Sequence, residues 1–285
     1  MRVELTTAEI RRAVHAALAE DLGRGDVTTL ATVPAASQSV ALMRAREPLV
    51  VAGIQFAGFA FRQLAPKIKT EVIFRDGQRA KAGQTLLKIS GSSRAILSAE
   101  RVALNFVQRL SGVATATAQF SDLVKGTRAK ILDTRKTTPC WRRFEKYAVK
   151  CGGGKNHRIG LFDMVLIKDN HLVALQNEKP NAIAAAVARA RQKFPKLKVE
   201  VEADTLAQVA QAVDAGADII LLDNMSNAQL RQAVKIIRGR AKTEASGGVN
   251  LKTVRGIAQT GVDYISVGAI THSARAVDIG LDFEE

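Results

Sequence analysis

Asp133 with Arg135 and Lys136, Lys168, Glu202, Asp223, Ser246 and Gly268 each stand at or just past the end of a short, mostly apolar run in the second half of the chain. Arginine clamps a planar carboxylate or phosphate through parallel N–H bonds, whereas lysine adds a mobile point charge. Arg135 beside Lys136 therefore suits a substrate with both kinds of anion. Glu200 and Glu202 share one face of their run by the two-residue period of a strand, and Asp223 closes the next run. The carboxylates of Glu202 and Asp223, opposite Lys168, suit a magnesium ion that keeps its waters, together with sugar hydroxyls. A buried Lys–Glu network that only braces the sheet is the structural alternative. Function is favoured, because charge at several apolar strand ends is costly without partners. CGGGKNHRIG has three glycines before Lys155, Asn156, His157 and Arg158. Such a run marks a tight turn, or lets backbone N–H groups approach an anion. It lacks the Gly-x-x-x-x-Gly-Lys-Ser/Thr of a P-loop. His157 completes no zinc spacing with His15, His171 or His272, and a structural histidine and a substrate-contacting one are equally good readings. EASGGVN (244–250) and SVGAITHS (266–273) leave their runs through small residues whose N–H groups can hold phosphate.

The elements that must position these groups follow from periodicity. AKILD (129–133), MVLIK (164–168), LKVEVE (197–202), DIILLD (218–223), AKTEAS (241–246) and DYISVG (263–268) read as strands, with helices predicted at 181–193, 205–214, 226–236 and 251–259 between them. Runs such as MVLI and IILL are apolar on both faces, as in a parallel sheet covered by helices. In a closed β/α barrel the strand ends converge on one mouth, where such enzymes build their sites. The first half reads differently. A helix opens with Thr6 and Glu9 as a capping box, short strands are predicted at 39–44, 48–52, 69–74 and 85–89, and a helix at 54–64. A long helix from about Ser98 to Lys125 turns Ala103, Phe106, Val107 and Leu110 inward and Arg101, Asn105 and Gln108 outward, with Gly112 expected to kink it.

At 285 residues and 47% hydrophobic content the chain can bury one large core or two moderate ones. Forty-two Lys and Arg against 27 Asp and Glu give a formal charge of +15, a field that attracts anions. No apolar run approaches the roughly 18 residues of a membrane span, and the first residues show no signal-peptide pattern, so a cytoplasmic protein is expected. Cys140 and Cys151 form no Cys-x-x-Cys or zinc spacing and are expected to be reduced. Residues 128–158 carry ten Lys or Arg against two acids. Arg142, Arg143 and Lys146 there sit at helix-surface spacing, where a solvated face and an anion site are equally good readings. Nucleic-acid binding is disfavoured by sparse aromatics in that segment, Trp141 and Tyr147 among them, and by the lack of a helix-turn-helix, zinc-finger or RNP pattern.

EDLGRGDVTT, ERVALNFVQRLSG, DTRKTTP, EKYAVKCGGGKNHRIGLFDMVLIKDNH, EVEAD, LLDN, SGG and VGAITHS occur in one order over almost the whole chain. In this the sequence closely resembles the quinolinate phosphoribosyltransferases, also called carboxylating nicotinate-nucleotide pyrophosphorylases. TRKTTP followed by GGG-x-NHR-x-G and IKDNH is the specific part. The resemblance implies a mixed α/β and α+β fold: an N-terminal α/β sandwich domain (1–112), an incomplete seven-stranded α/β barrel (113–272), and a tail (273–285) returning to the first domain. It also implies a homodimer with shared sites and transfer of the phosphoribosyl group of 5-phosphoribosyl 1-pyrophosphate to quinolinate, with decarboxylation. Arg101 would reach quinolinate from the partner subunit, while Arg135, Arg158 and Lys168 hold it within the subunit beside His157. Lys136 would meet the phosphoribosyl substrate, Glu202 and Asp223 its ribose and Mg2+, and Ser246, Gly247, Gly248, Gly268 and Ala269 its phosphate region. Lys136, Lys168, Glu202 and Asp223 are the expected catalytic set.

One departure stands out, since the family often has glycine after TRKTTP and this chain has Cys140 followed by Trp141. A related molybdenum-transport-associated family shares the architecture, but its loop matches NHR and IKDNH less well. DGQRAKAGQTLLKISG resembles the hairpin of lipoyl or biotinyl carriers, yet lacks the lysine expected at its turn.

Overall fold

The computed structural model describes residues 3–284; residues 1, 2 and 285, the ends of the expected first domain and tail, lie outside the described residues. Its contacts divide the chain into two units, one of residues up to 118 with 138–153 and 273 onward, the other of residues 119–137 and 154–272.

The first unit opens with α1 (Thr7–Leu22), whose Thr6 and Glu9 form the capping box, and buries Ile10, Val14 and Leu18 along one face. A short α2 (Val27–Thr32) follows, capped by the Asp26 side chain on Thr29 N–H. The glycines flanking this segment mask it as a loop in the sequence. Next come β1 (Gln38–Ala45), β2 (Leu49–Val50), α3 (Ile54–Leu64), β3 (Lys69–Val72), β4 (Arg79–Ala80) and β5 (Thr85–Ser92). Helix α4 (Ser93–Leu123) runs without a break through Gly112. That glycine is required for close approach rather than for a bend, because a Cβ there would lie 2.0 Å from the Arg275 carbonyl oxygen.

In the second unit, β6 (Lys130–Leu132) is followed by a loop that leads into α5 (Arg142–Cys151), which belongs to the first unit. The second unit resumes with β7 (Val165–Ile167), α6 (Asp169–Val173), α7 (Ala182–Lys193), β8 (Val199–Ala203), α8 (Leu206–Asp214), β9 (Ile219–Asp223), α9 (Asn227–Ile237), β10 (Lys242–Ser246), α10 (Val254–Ala258), β11 (Tyr264–Ser266) and α11 (Ala269–His272). The last strand, β12 (Ile279–Phe283), pairs antiparallel with β1 in a four-stranded sheet of order β12-β1-β5-β3.

The second unit's sheet is parallel throughout, in the order β6-β11-β10-β9-β8-β7. Beyond β6, Lys155 makes a one-residue parallel bridge to Leu132, so the seventh strand implied by resemblance is reduced to a single pairing. At the amino edge two helix-to-strand connections, Gly216-Ala217-Asp218 and Gly261-Val262-Asp263, do the same work. Each glycine has positive φ, and each aspartate accepts an N–H at the start of the neighbouring strand, from Val199 for Asp218 and from Thr243 for Asp263.

In the first unit, the residue that replaces the family's glycine keeps a glycine-like backbone: Cys140 has φ 65°. Trp141 then stacks on Phe106 (centroids 5.1 Å apart) and meets Phe144 edge-on, so the bulky residue is absorbed by an aromatic cluster that includes Phe56. Lys146 of α5 is fully buried, which excludes a solvated face for it, while Glu145, equally buried, pairs with Arg109 at 2.6 Å and accepts from the Thr138 hydroxyl. Both cysteines are free thiols, and burial, followed by the nearby Asp76 carboxylate, pushes Cys151 up to about 12.

Two predictions follow from these features. Cys140→Gly relieves a left-handed backbone worth about 1 kcal/mol, so the urea midpoint rises with an unchanged slope. Burial raises the pKa of Asp263, but Arg128, the Thr243 N–H, Lys242 and the Thr243 hydroxyl outweigh it and hold the group at about 2. Because the folded value lies below the unfolded value of about 3.9, this stabilisation is complete above that pH and is lost as pH falls through about 2. Melting curves over this range show a flatter acid dependence for Asp263→Asn, and a lower melting temperature at pH 7.

Candidate active site

All the strand-end residues singled out above lie in the second unit, at the carboxyl edge of its parallel sheet. Asp133, the first residue after β6, is fully buried. Its Oδ1 accepts the His157 backbone N–H at 2.8 Å and its Oδ2 the Asn156 side-chain amide at 2.7 Å. That carboxylate ties the segment after the triple glycine to the sheet. The glycines divide the labour: in the first unit a Cβ at Gly152 would lie 2.3 Å from the Ala114 carbonyl oxygen, and Gly153 has φ 84°. The tight-turn reading accounts for both.

Arg158 donates to the Met164 carbonyl at 3.1 Å, while its Nε is buried with no hydrogen-bond partner among the described residues. Burial lowers its pKa, and the neighbouring positive charge of Arg135 lowers it further. Two guanidinium groups held together in a partly dry site make a place for an anion. Lys168, just past β7, pairs through Nζ with Glu202 Oε2 at 2.8 Å. Its backbone N–H donates to His171 Nδ1 at 2.9 Å, so the histidine of IKDNH acts as a local cap. The three-residue spacing was the signal for that role.

Glu202 on β8 and Asp223 on β9 are carried by adjacent strands. Asp223 accepts from the Asn224 amide at 2.6 Å and is paired in register with Ser246 of β10. Magnesium needs only one or two protein carboxylates when waters and substrate oxygens complete its shell, and these hard oxygen donors fit that requirement. After Ser246, Gly247 has φ 95° and packs so tightly on Asn224 that a Cβ would lie 2.1 Å from its Oδ1; Gly248 has φ 59° and open space. Across the same edge Gly268 lies against Lys136, whose Cδ would be 3.2 Å from an added Cβ, and the Thr271 hydroxyl donates to the Lys136 carbonyl at 2.8 Å. Ala269 begins α11 directly after Gly268. Arg101 belongs to the first unit, exposed on α4; Asn105 is exposed beside it, whereas Gln108 donates to the Ile279 carbonyl.

The sequence reading missed Glu244. It lies on β10, buried like Glu200 on β8, and both carboxyls are pushed above the ordinary range, chiefly by burial. His157 Nε2 lies 2.9 Å from Glu200 and 3.6 Å from Glu244. A charged residue in the middle of AKTEAS, between small neighbours, was the available signal.

The match to known proteins is extensive. Family models described as quinolinate phosphoribosyl transferase, N-terminal and C-terminal domain, match residues 26–111 and 113–282. A nicotinate-nucleotide pyrophosphorylase (carboxylating) of Mycobacterium leprae is 45% identical over 279 residues, 96% of this chain and 95% of that one. A chloroplastic counterpart from Arabidopsis thaliana is 42% identical over 294 residues, 98% of this chain and 84% of the relative. The crystal structure of NadC from Streptococcus pyogenes superposes with a TM-score of 0.93 at 40% identity over 99% of both chains. The chain belongs to the quinolinate phosphoribosyltransferase family.

Proposed function

We propose that this chain transfers the phosphoribosyl group of 5-phosphoribosyl 1-pyrophosphate to quinolinate and releases pyrophosphate and carbon dioxide, forming nicotinate mononucleotide for NAD synthesis. The observation that carries the reading is the paired guanidinium site, with a buried Nε on Arg158 that has no hydrogen-bond partner among the described residues, beside Arg135, at the same sheet edge as the Lys168–Glu202 pair. Arg135, Arg158 and Lys168 receive the two ring carboxylates, with His157 beside the ring. Lys136, Ser246, Gly247, Gly248, Gly268 and Ala269 receive the phosphoribosyl substrate and its phosphates. The ring nitrogen forms a bond to the anomeric carbon as the bond from that carbon to pyrophosphate breaks. The resulting pyridinium then takes up the electron pair of the adjacent carbon–carboxylate bond, carbon dioxide leaves, and the ring carbon gains a proton. The carboxylates of Glu202 and Asp223 favour the electron-poor sugar, and no protein nucleophile is needed. Bound at Glu202 and Asp223, magnesium would supply charge neutralisation for the departing pyrophosphate.

We also propose a homodimer in which Arg101 serves the partner's site. Its exposure on α4, and the exposed Leu161 and Phe162 (71% and 72%) in the segment after Arg158, suit a surface covered by a second copy. No helix among the described residues is long and apolar enough to cross a membrane. The two free cysteines suit a reducing compartment, and the cytoplasm is the proposed location.

Purified protein given quinolinate, phosphoribosyl pyrophosphate and magnesium forms nicotinate mononucleotide by mass, with efficiency about 10⁴-fold above that for nicotinate, which leaves one set of basic groups unpaired. Equal efficiency with the two acids overturns the dicarboxylate assignment. Asp223→Asn lowers magnesium-dependent turnover about a hundredfold while quinolinate still binds in a separate titration. Mixing inactive Arg101→Ala and Lys168→Ala chains under subunit exchange restores activity, since one hybrid site is intact. Heterodimers seen by mass without recovery overturn the shared site.

A further inference from the structure

Glu200 and Glu244 have no part in the transfer reaction as described, yet they lie beneath its basic groups. A buried carboxyl pair is costly, and apolar residues of similar size would brace the sheet as well. Glu200 stands one pleat below Glu202 on the same face of β8, where Oε2 meets His157 Nε2 at 2.9 Å, with Glu244 Oε1 3.6 Å from the same nitrogen. The other end of the residue is fixed too, because the His157 N–H donates to Asp133 at 2.8 Å.

We propose that Glu200, with Glu244 behind it, is a positioning residue for His157, holding the ring with its proton on Nε2 and thereby setting recognition of the pyridine dicarboxylate. The inference rests on the function proposed above. With Glu200 Oε2 as the acceptor, the ring nitrogen facing it carries the proton, and Glu200 selects one tautomer and one ring orientation. The same arrangement orients histidines at other sites, where loss of the orienting carboxylate costs about 10–100-fold. The three ligand atoms lie within 4.8 Å of one another, a spacing that also admits a cation. The 2.9 Å Nε2–Oε2 separation is that of a hydrogen bond, and the fully buried pair has no open position for a substrate oxygen.

The test uses full-length protein with ¹⁵N-labelled histidine. The chain has four histidines, and loss of one resonance in His157→Asn assigns the one required. In the wild type, Nε2 of His157 is protonated. Glu200→Leu removes that signature and raises the KM for quinolinate about tenfold or more, while the KM for phosphoribosyl pyrophosphate stays within about twofold. Glu200→Gln keeps an oxygen acceptor and recovers most of the loss. An unprotonated Nε2 in the wild type overturns the proposal whether or not any variant folds. So does a variant in which both KM values hold and only kcat and the melting temperature fall, the pattern of a purely structural role. A stoichiometric divalent cation bound at Nε2 overturns it as well. Absence of quinolinate turnover by the wild type would instead overturn the function while leaving the tautomer result standing.

Discussion

Parallel strands all end on the same edge, and that constraint governs the second unit. Residues separated by up to 135 positions in sequence, Asp133 and Gly268 at the extremes, reach one rim because each closes or follows a strand of a single parallel sheet. An antiparallel arrangement of the same runs would send half of them to the opposite edge. The residues of this rim are therefore spaced by helix length and not by any local motif, with the exception of the segment that follows the triple glycine.

The two edges of that sheet have different tasks. At the amino edge Asp218 and Asp263 accept strand N–H groups and pair with Arg191 and Arg128, which ties neighbouring strands together. At Asp263 the effect of burial is offset by several donors converging on one carboxylate. At the carboxyl edge two guanidinium groups act on one another. Burial, and then the charge of Arg135, depresses the basicity of Arg158, whose Nε is buried without a partner among the described residues. Under the proposed function an incoming dianion completes this cluster.

The first unit shows how a sequence departure can be tolerated without moving the backbone. Cys140 adopts the left-handed conformation that glycine takes freely, and the Trp141 ring stacks on Phe106. The local strain is held by that aromatic cluster and by Glu145, which accepts the backbone N–H and the hydroxyl of Thr138, two residues earlier.

The sequence by itself determined most of the elements and the family. The six parallel strands, helices α7 to α10 and α3 were legible because apolar periodicity and turn residues are local properties of the chain. The same elements put Arg135, Lys136, Lys168, Glu202 and Asp223 at strand ends, whereas His157 and Arg158 stood out through the segment after the triple glycine. What the tertiary structure decided were contacts between side chains distant in sequence. It gave Gly112 a packing role in place of a kink, buried Lys146 despite its surface spacing, and made His171 a cap for Lys168. It also paired Glu244 with Glu200 under His157, which no period within either strand specifies. Burial and pairing depend on which strands become neighbours and in what register, and that information resides in the packed sheet rather than in any single segment.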